Sequence, residues 1–190
     1  MSQADAPRVH VETPEQWHAW LAEHHAAGGG CWVVWWKRST GRPAPDDDDL
    51  VCEALAVGWI DATSKGLDDE RTSMWFSPRR AGSGWSRPNK QRLERLLAEG
   101  RMRPAGLAAV ERARADGSWT LLDDVEDLVV PDDLAAALDE RGARSTWDAL
   151  SPSARKEALT WLVQAKRAAT RETRVSRVAE RTAEGSRPRP

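Results

Sequence analysis

The spacing of apolar residues changes character near the middle of the chain. Thr13-Pro14-Glu15-Gln16 marks a helix start, with a threonine to cap, a proline suited to the first turn and a glutamine to complete a capping box. Trp17, Trp20 and Leu21 then share one helical face, and Gly28-Gly29-Gly30 ends the run. The stretch "CWVVWWKR" (31–38) is apolar on both alternating faces, which predicts an interior strand covered on each side; "GRPAP" breaks it. Asp46 to Asp49 open a second helix, where carboxylates meet the positive end of the dipole, and Leu50, Val51, Ala54 and Leu55 form its buried stripe before Gly58. "WIDAT" (59–63) and "RTSMWFSPR" (71–79) predict two short strands joined by the turn-rich "SKGLDDE". In the second strand Met74 and Phe76 point one way while Ser73, Trp75 and Ser77 point the other.

From Ser86 onward the period is helical. Leu93, Leu96 and Leu97 precede a stop at Gly100, and "PAGLAAVERARADG" ends at Gly117. An acidic connector leads to "PDDLAAALDERG", and Trp147 and Leu150 mark a short turn. Pro152 starts a helix with Leu159, Leu162 and Val163 inward, and a last helix carries Val175 and Val178. The fold class expected is α+β: a small mixed or antiparallel sheet flanked by helices in the first half, and an all-helical C-terminal half. The organisation expected is a disordered N-terminus (1–12), an α/β domain (13–120), a helical region (121–184) and a frayed tail (185–190).

Composition narrows this picture. Of 190 residues, 40% are hydrophobic and 31% charged, the balance of a polar-surfaced globular chain. No window of about 18 uninterrupted apolar residues exists, so no membrane span is expected. The first residues lack the basic and apolar regions of a secretory signal, and Cys31 and Cys52 show no CxxC spacing. A cytoplasmic protein is the expectation. Eleven tryptophans, against one Phe and no Tyr, will dominate whatever core or pocket forms. The net charge is −2, but ten Lys/Arg against four Asp/Glu make residues 151–190 +6, which leaves −8 on the first 150. The basic helices at 152–184 read as a solvated face. The alternative is contact with nucleic acid or an acidic partner through Arg167, Arg171, Arg174 and Arg177.

The chemistry is sparse. His10, His18, His24 and His25 lie in the first 25 residues; His18 and His25 are two turns apart, but no third ligand is placed to join them, so no metal is expected. They read as a polar stripe opposite Trp17 and Trp20. Cys52 reads as core, and no GxSxG elbow or phosphate loop is present. No cofactor is expected. The cluster that stands out is Trp59, Asp61, Trp75, Arg79, Arg80, Trp85, Ser86 and Asn89. Trp59 and Asp61 share a strand face, and Arg79 and Arg80 follow the neighbouring strand that carries Trp75. If Trp59, Asp61, Trp75 and Arg79 converge, they wall a cavity for a small aromatic or cationic molecule. The alternatives are an enzyme with Asp61 as general acid or base and Arg79 as anion holder, and a structural strut in which Asp61 and Arg79 pair while the tryptophans fill the core.

Several segments resemble one family. "W..WL" at Trp17–Leu21, "CWVVWWK" at 31–37, "EALAVGWIDA" at 53–62, "FSPRRAGSGWSRPN" at 76–89 and "EGRMRPAG" at 99–106 are similar to the YdeI/OmpD-associated family, also labelled bacteriocin-protection proteins. "PDDLAAAL" and "WLVQAKRAATRETRV" resemble its helical tail, so the likeness runs over about residues 13–182. The resemblance implies protection against peptide antimicrobials or stress resistance. It marks Gly58, Trp59, Ile60, Asp61, Pro78, Arg79, Arg80, Ser83, Trp85, Ser86 and Asn89 as family features. Together these readings lead to the expectation of a non-catalytic binding protein of the resistance type, with a small molecule as partner.

Overall fold

The computed structural model describes residue 3 and residues 5–189. They form two compact units, Met1–Ser83 with Pro88–Trp119, and Gly84–Arg87 with Thr120–Pro190.

The first unit is built on a four-stranded mixed sheet in the order β1-β2-β4-β3. Strand β1 (Arg8–His10) runs parallel to β2 (Cys31–Trp36); β4 (Arg71–Pro78) is antiparallel to both β2 and β3 (Trp59–Gly66). Register decides which side chains meet, because directly opposed residues point to the same side. Cys31 and Asp61 both oppose Phe76, and Trp59 opposes Pro78, on one face; Trp32 opposes Trp75 and Val34 opposes Ser73 on the other. A bulge between Asp61 and Ser64 then shifts β3 by one position.

The Phe76 face packs on helices α1 (Pro14–His24) and α2 (Asp47–Ala56). Trp17 joins them: its ring lies 5.3 Å from Phe76 and 6.4 Å from Trp59, and its indole N–H donates to the Leu50 carbonyl at 3.1 Å. Truncating so buried a ring costs about 3–5 kcal/mol in comparable cores. The other face is covered too, which is why β2 is buried from Cys31 to Trp35 without alternation. There Trp32 donates to the Gln3 carbonyl at 2.9 Å, carries the Lys65 ammonium 3.9 Å above its ring, and meets Trp75 edge-on at 5.4 Å.

Strand β1 corrects the expectation of a disordered N-terminus through residue 12. Trp32 donates to the Pro7 carbonyl and Val11 to the Val34 carbonyl, both at 2.9 Å, extending the ladder beyond the three assigned residues. Such a short strand has no period of its own; it exists because the edge of β2 needs a partner.

Helices α3 (Arg87–Ala98) and α4 (Pro104–Ala115) follow. The start of α4 docks on the end of α2: Arg103 N–H donates to the Ala56 carbonyl at 2.9 Å. Two glycines permit this approach. Gly58 has φ +79°, and a Cβ on Gly106 would stand 2.3 Å from the Ala56 oxygen.

The second unit is helical: α5 (Asp123–Glu126), α6 (Asp132–Glu140), α7 (Arg144–Asp148), α8 (Pro152–Val163) and α9 (Ala168–Ala183). Leu134, Leu138, Trp147, Leu159, Leu162 and Val178 lie in its core. Its C-terminal residues, expected to fray from 185, are tied down. Arg187 pairs with Glu157 at 2.7 Å, Arg181 donates to the Arg187 carbonyl at 2.6 Å, and Pro188 is buried. Among the described residues no helix is long and apolar enough to cross a membrane. The fold is α+β, with a small mixed sheet in the first half and a helical C-terminal half.

Candidate functional site

The structure distributes the eight residues singled out from the sequence. Trp59 is buried against Trp17 and Trp20, and its indole N–H donates to the His25 carbonyl at 3.1 Å. Trp75 is half-buried on the opposite face beside Trp32, so these two indoles do not wall a common hollow. Asp61 and Arg79 do come together electrostatically. Arg79 is only 7% exposed, and burial pushes its pKa down to about 10 against the opposing pull of the Asp61 charge. Its backbone N–H donates to Gly58 at 3.0 Å and its Nη1 to the Ser83 carbonyl at 3.3 Å. Arg80 is exposed. Asn89 is buried on α3, where its Oδ1 accepts from Arg92 Nη1 at 2.8 Å. Trp85, which is buried, and Ser86 belong to the second unit.

Open space with chemistry around it lies elsewhere in the first unit. A pocket of about 450 Å³ is bounded by α1, α2 and the start of α4. Its apolar lining is Leu21, Ala22, Ala56, Val57, Pro104 and Ala105, and its polar groups are His18, His25, Glu53 and Arg103. That size and that mixture are typical of small-molecule sites.

Glu53 is the centre of the polar group. It is 8% exposed, in the otherwise apolar run "LVCEALA" of α2, where an unpaired carboxylate would be costly. Both of its oxygens are taken: Arg101 Nη2 binds Oε1, and His18 Nδ1 lies 2.6 Å from Oε2. Arg101 is itself steadied by Glu99 at 2.8 Å. The second ring nitrogen of His18, Nε2, lies 3.3 Å from Arg103 Nη2. A guanidinium only donates, so Nε2 accepts and Nδ1–H donates to Glu53. This arrangement sets which ring nitrogen of His18 serves Glu53 and which serves Arg103. His25, the C-cap of α1, directs Nδ1 at the Leu21 carbonyl 2.8 Å away. Arg103 has no carboxylate partner among the described residues and borders the pocket with its guanidinium on the His18 ring.

Sequence reasoning placed His18 on a solvent-facing stripe and gave Glu53 and Arg103 no role. The signal that marks them is Glu53 itself, a charge at a position where its helix neighbours are all buried.

Residues 9–109 match the model of a family described as Domain of unknown function (DUF8412), just over half of the chain. The chain belongs to this family. The whole pocket falls within the DUF8412 region. Residues 127–185 match a second model, described as Bacteriocin-protection, YdeI or OmpD-Associated. The resemblance to that family is therefore shown over a C-terminal part, the part that contains "PDDLAAAL" and "WLVQAKRAATRETRV". The segments quoted between Trp17 and Gly106 lie in the DUF8412 match. No curated protein and no solved structure matches the chain.

Proposed function

We propose that the chain is a binding protein of the protection type named by its C-terminal family match, and that it sequesters a small, mainly apolar molecule in the pocket of the DUF8412 region. The observation that carries this reading is the pocket itself: about 450 Å³ of space with an apolar lining and four polar side chains at hand. It replaces the hollow expected between Trp59 and Trp75, whose rings belong to opposite faces of the sheet. Nothing in the reading requires turnover.

The test uses the protein's own reporters. Trp59 bonds to His25, a lining residue, and Trp20 lies 6.0 Å from Trp59, so a ligand should alter the emission of these indoles. Titration with small amphiphiles is expected to give a saturable fluorescence change and a rise in Tm. Ala22→Phe, on the exposed rim, should fill the pocket and weaken binding by at least about tenfold while the fold stands. A panel of apolar-bodied compounds that alters neither emission nor Tm would sink the reading.

A further inference from the structure

We propose that the ligand of this pocket is a small carboxylate, whose head group takes Arg103 from His18 and enters together with a proton. The inference rests on the binding reading above and specifies its ligand class. The apolar lining sets the body of the ligand; the charges set its head. Both Glu53 oxygens are engaged, by Arg101 and His18, and Arg101 also holds Glu99, so the carboxylates of this group are already served. Arg103 remains as a cation whose one described polar contact through its side chain is the His18 ring. An amine would face the Arg103 guanidinium, while the Glu53 oxygens are already engaged. A carboxylate would gain a charge-assisted, potentially bidentate partner at the edge of an apolar cavity. The start of α4, with Pro104 and Ala105 in the lining, adds the positive end of a helix dipole.

The proton follows from the tautomer. While Arg103 donates to Nε2, that nitrogen acts as an acceptor and has no place for a proton. Once a carboxylate draws Arg103 away, Nε2 faces an anion on one side while Nδ1–H still serves Glu53 on the other. An imidazolium then donates to two carboxylates, and protonation is favoured. The groups that face His18 are Glu53 from α2, with Arg101 and Glu99 behind it, Arg103 at the cap of α4, and His25 from the end of its own helix across the pocket. Carboxylate binding should therefore strengthen as pH falls.

Three probes with one body separate these claims: 4-phenylbutyrate, 4-phenylbutan-1-ol and 4-phenylbutylamine, titrated calorimetrically into the full chain at about pH 6 and about pH 8 in two buffers of different ionisation enthalpy. At the lower pH the acid is expected to bind at least about tenfold tighter than the alcohol, with uptake approaching one proton, and the amine should bind most weakly. Arg103→Gln should remove the preference for the acid and leave the alcohol unchanged. His18→Gln should abolish proton uptake. If the alcohol or amine binds as tightly as the acid, if the acid's preference survives Arg103→Gln, or if no proton is taken up, this inference falls and the binding reading stands. If none of the three binds, both fall.

Discussion

Arg79 and Arg103 look alike along the chain, one following Pro78 and the other preceding Pro104. Arg79, flanked by tryptophans, has the more suggestive surroundings. In space their circumstances are reversed. Arg79 leaves the end of β4, a strand paired on both sides, and its guanidinium is enclosed, with Ser83 oxygens within hydrogen-bonding reach and the Asp61 charge nearby. Arg103 caps a helix that docks on α2 and borders open volume, with an imidazole nitrogen as its partner. The tryptophans around Arg79 accompany an enclosed guanidinium, although Arg80 beside it is exposed. An arginine available to a ligand is recognised by what the tertiary fold leaves uncovered around it.

Substitution should separate the two sharply. Arg79→Ala removes a buried guanidinium and leaves its partners unserved, and is expected to cost roughly 3 kcal/mol in urea unfolding. Arg103→Ala should cost under about 0.5 kcal/mol while changing ligand preference. Equal destabilisation by the two would end the contrast. Gly106→Ala sharpens it from the side of the backbone. The added methyl would meet the Ala56 oxygen at 2.3 Å, so α4 must move off α2, at a cost of about 1–3 kcal/mol. Because that contact also shapes the pocket, ligand-induced stabilisation should disappear with it, whereas Arg79→Ala should leave it measurable under conditions where the chain remains folded.

Much of the fold was legible because its signals are local. The Thr13 hydroxyl accepts from Gln16 N–H at 3.4 Å, as the capping sequence suggests, while the Gln16 side chain reaches one residue past the cap and accepts from Glu12 N–H at 2.7 Å. The unbroken apolar run of β2 and the shared face of Trp59 and Asp61 follow from spacing as well. Strand β1 was not legible, since three residues have no period and the strand is defined by pairing with β2. The pocket was hidden for a stronger reason. His18 meets Glu53 across 35 positions and Arg103 across 85, and no periodicity within one element reports such a meeting. Spacing also could not show that Trp59 and Trp75, on adjacent strands, would face apart; the register of β3 against β4 decides that.

The smallest expected effect separates two responses to pH. Asp48, at the start of α2, receives Arg95 Nη2 at 2.6 Å and Arg92 Nε at 2.7 Å, and these hydrogen bonds, Arg95 first, hold its carboxyl below the ordinary range. A carboxyl whose folded pKa is depressed contributes stability that is complete above its unfolded value, about 3.9, and is lost as pH falls through the folded one. Asp48→Asn should therefore unfold at a Tm only slightly below the parent near neutrality, because the side chain is half-exposed and solvent screens it, and the two curves should converge as acid is added. Curves that stay parallel from about pH 6 to about pH 3 would mean that the arginines do not favour the ionised form. Carboxylate binding at the His18 pocket should also depend on pH, and that dependence should be unchanged in Asp48→Asn. An acid limb of stability that belongs to Asp48, beside a pH dependence of binding that is lost in His18→Gln, would show that the arginines fastening α3 to α2 support the fold, while the arginine at the head of α4 serves the ligand.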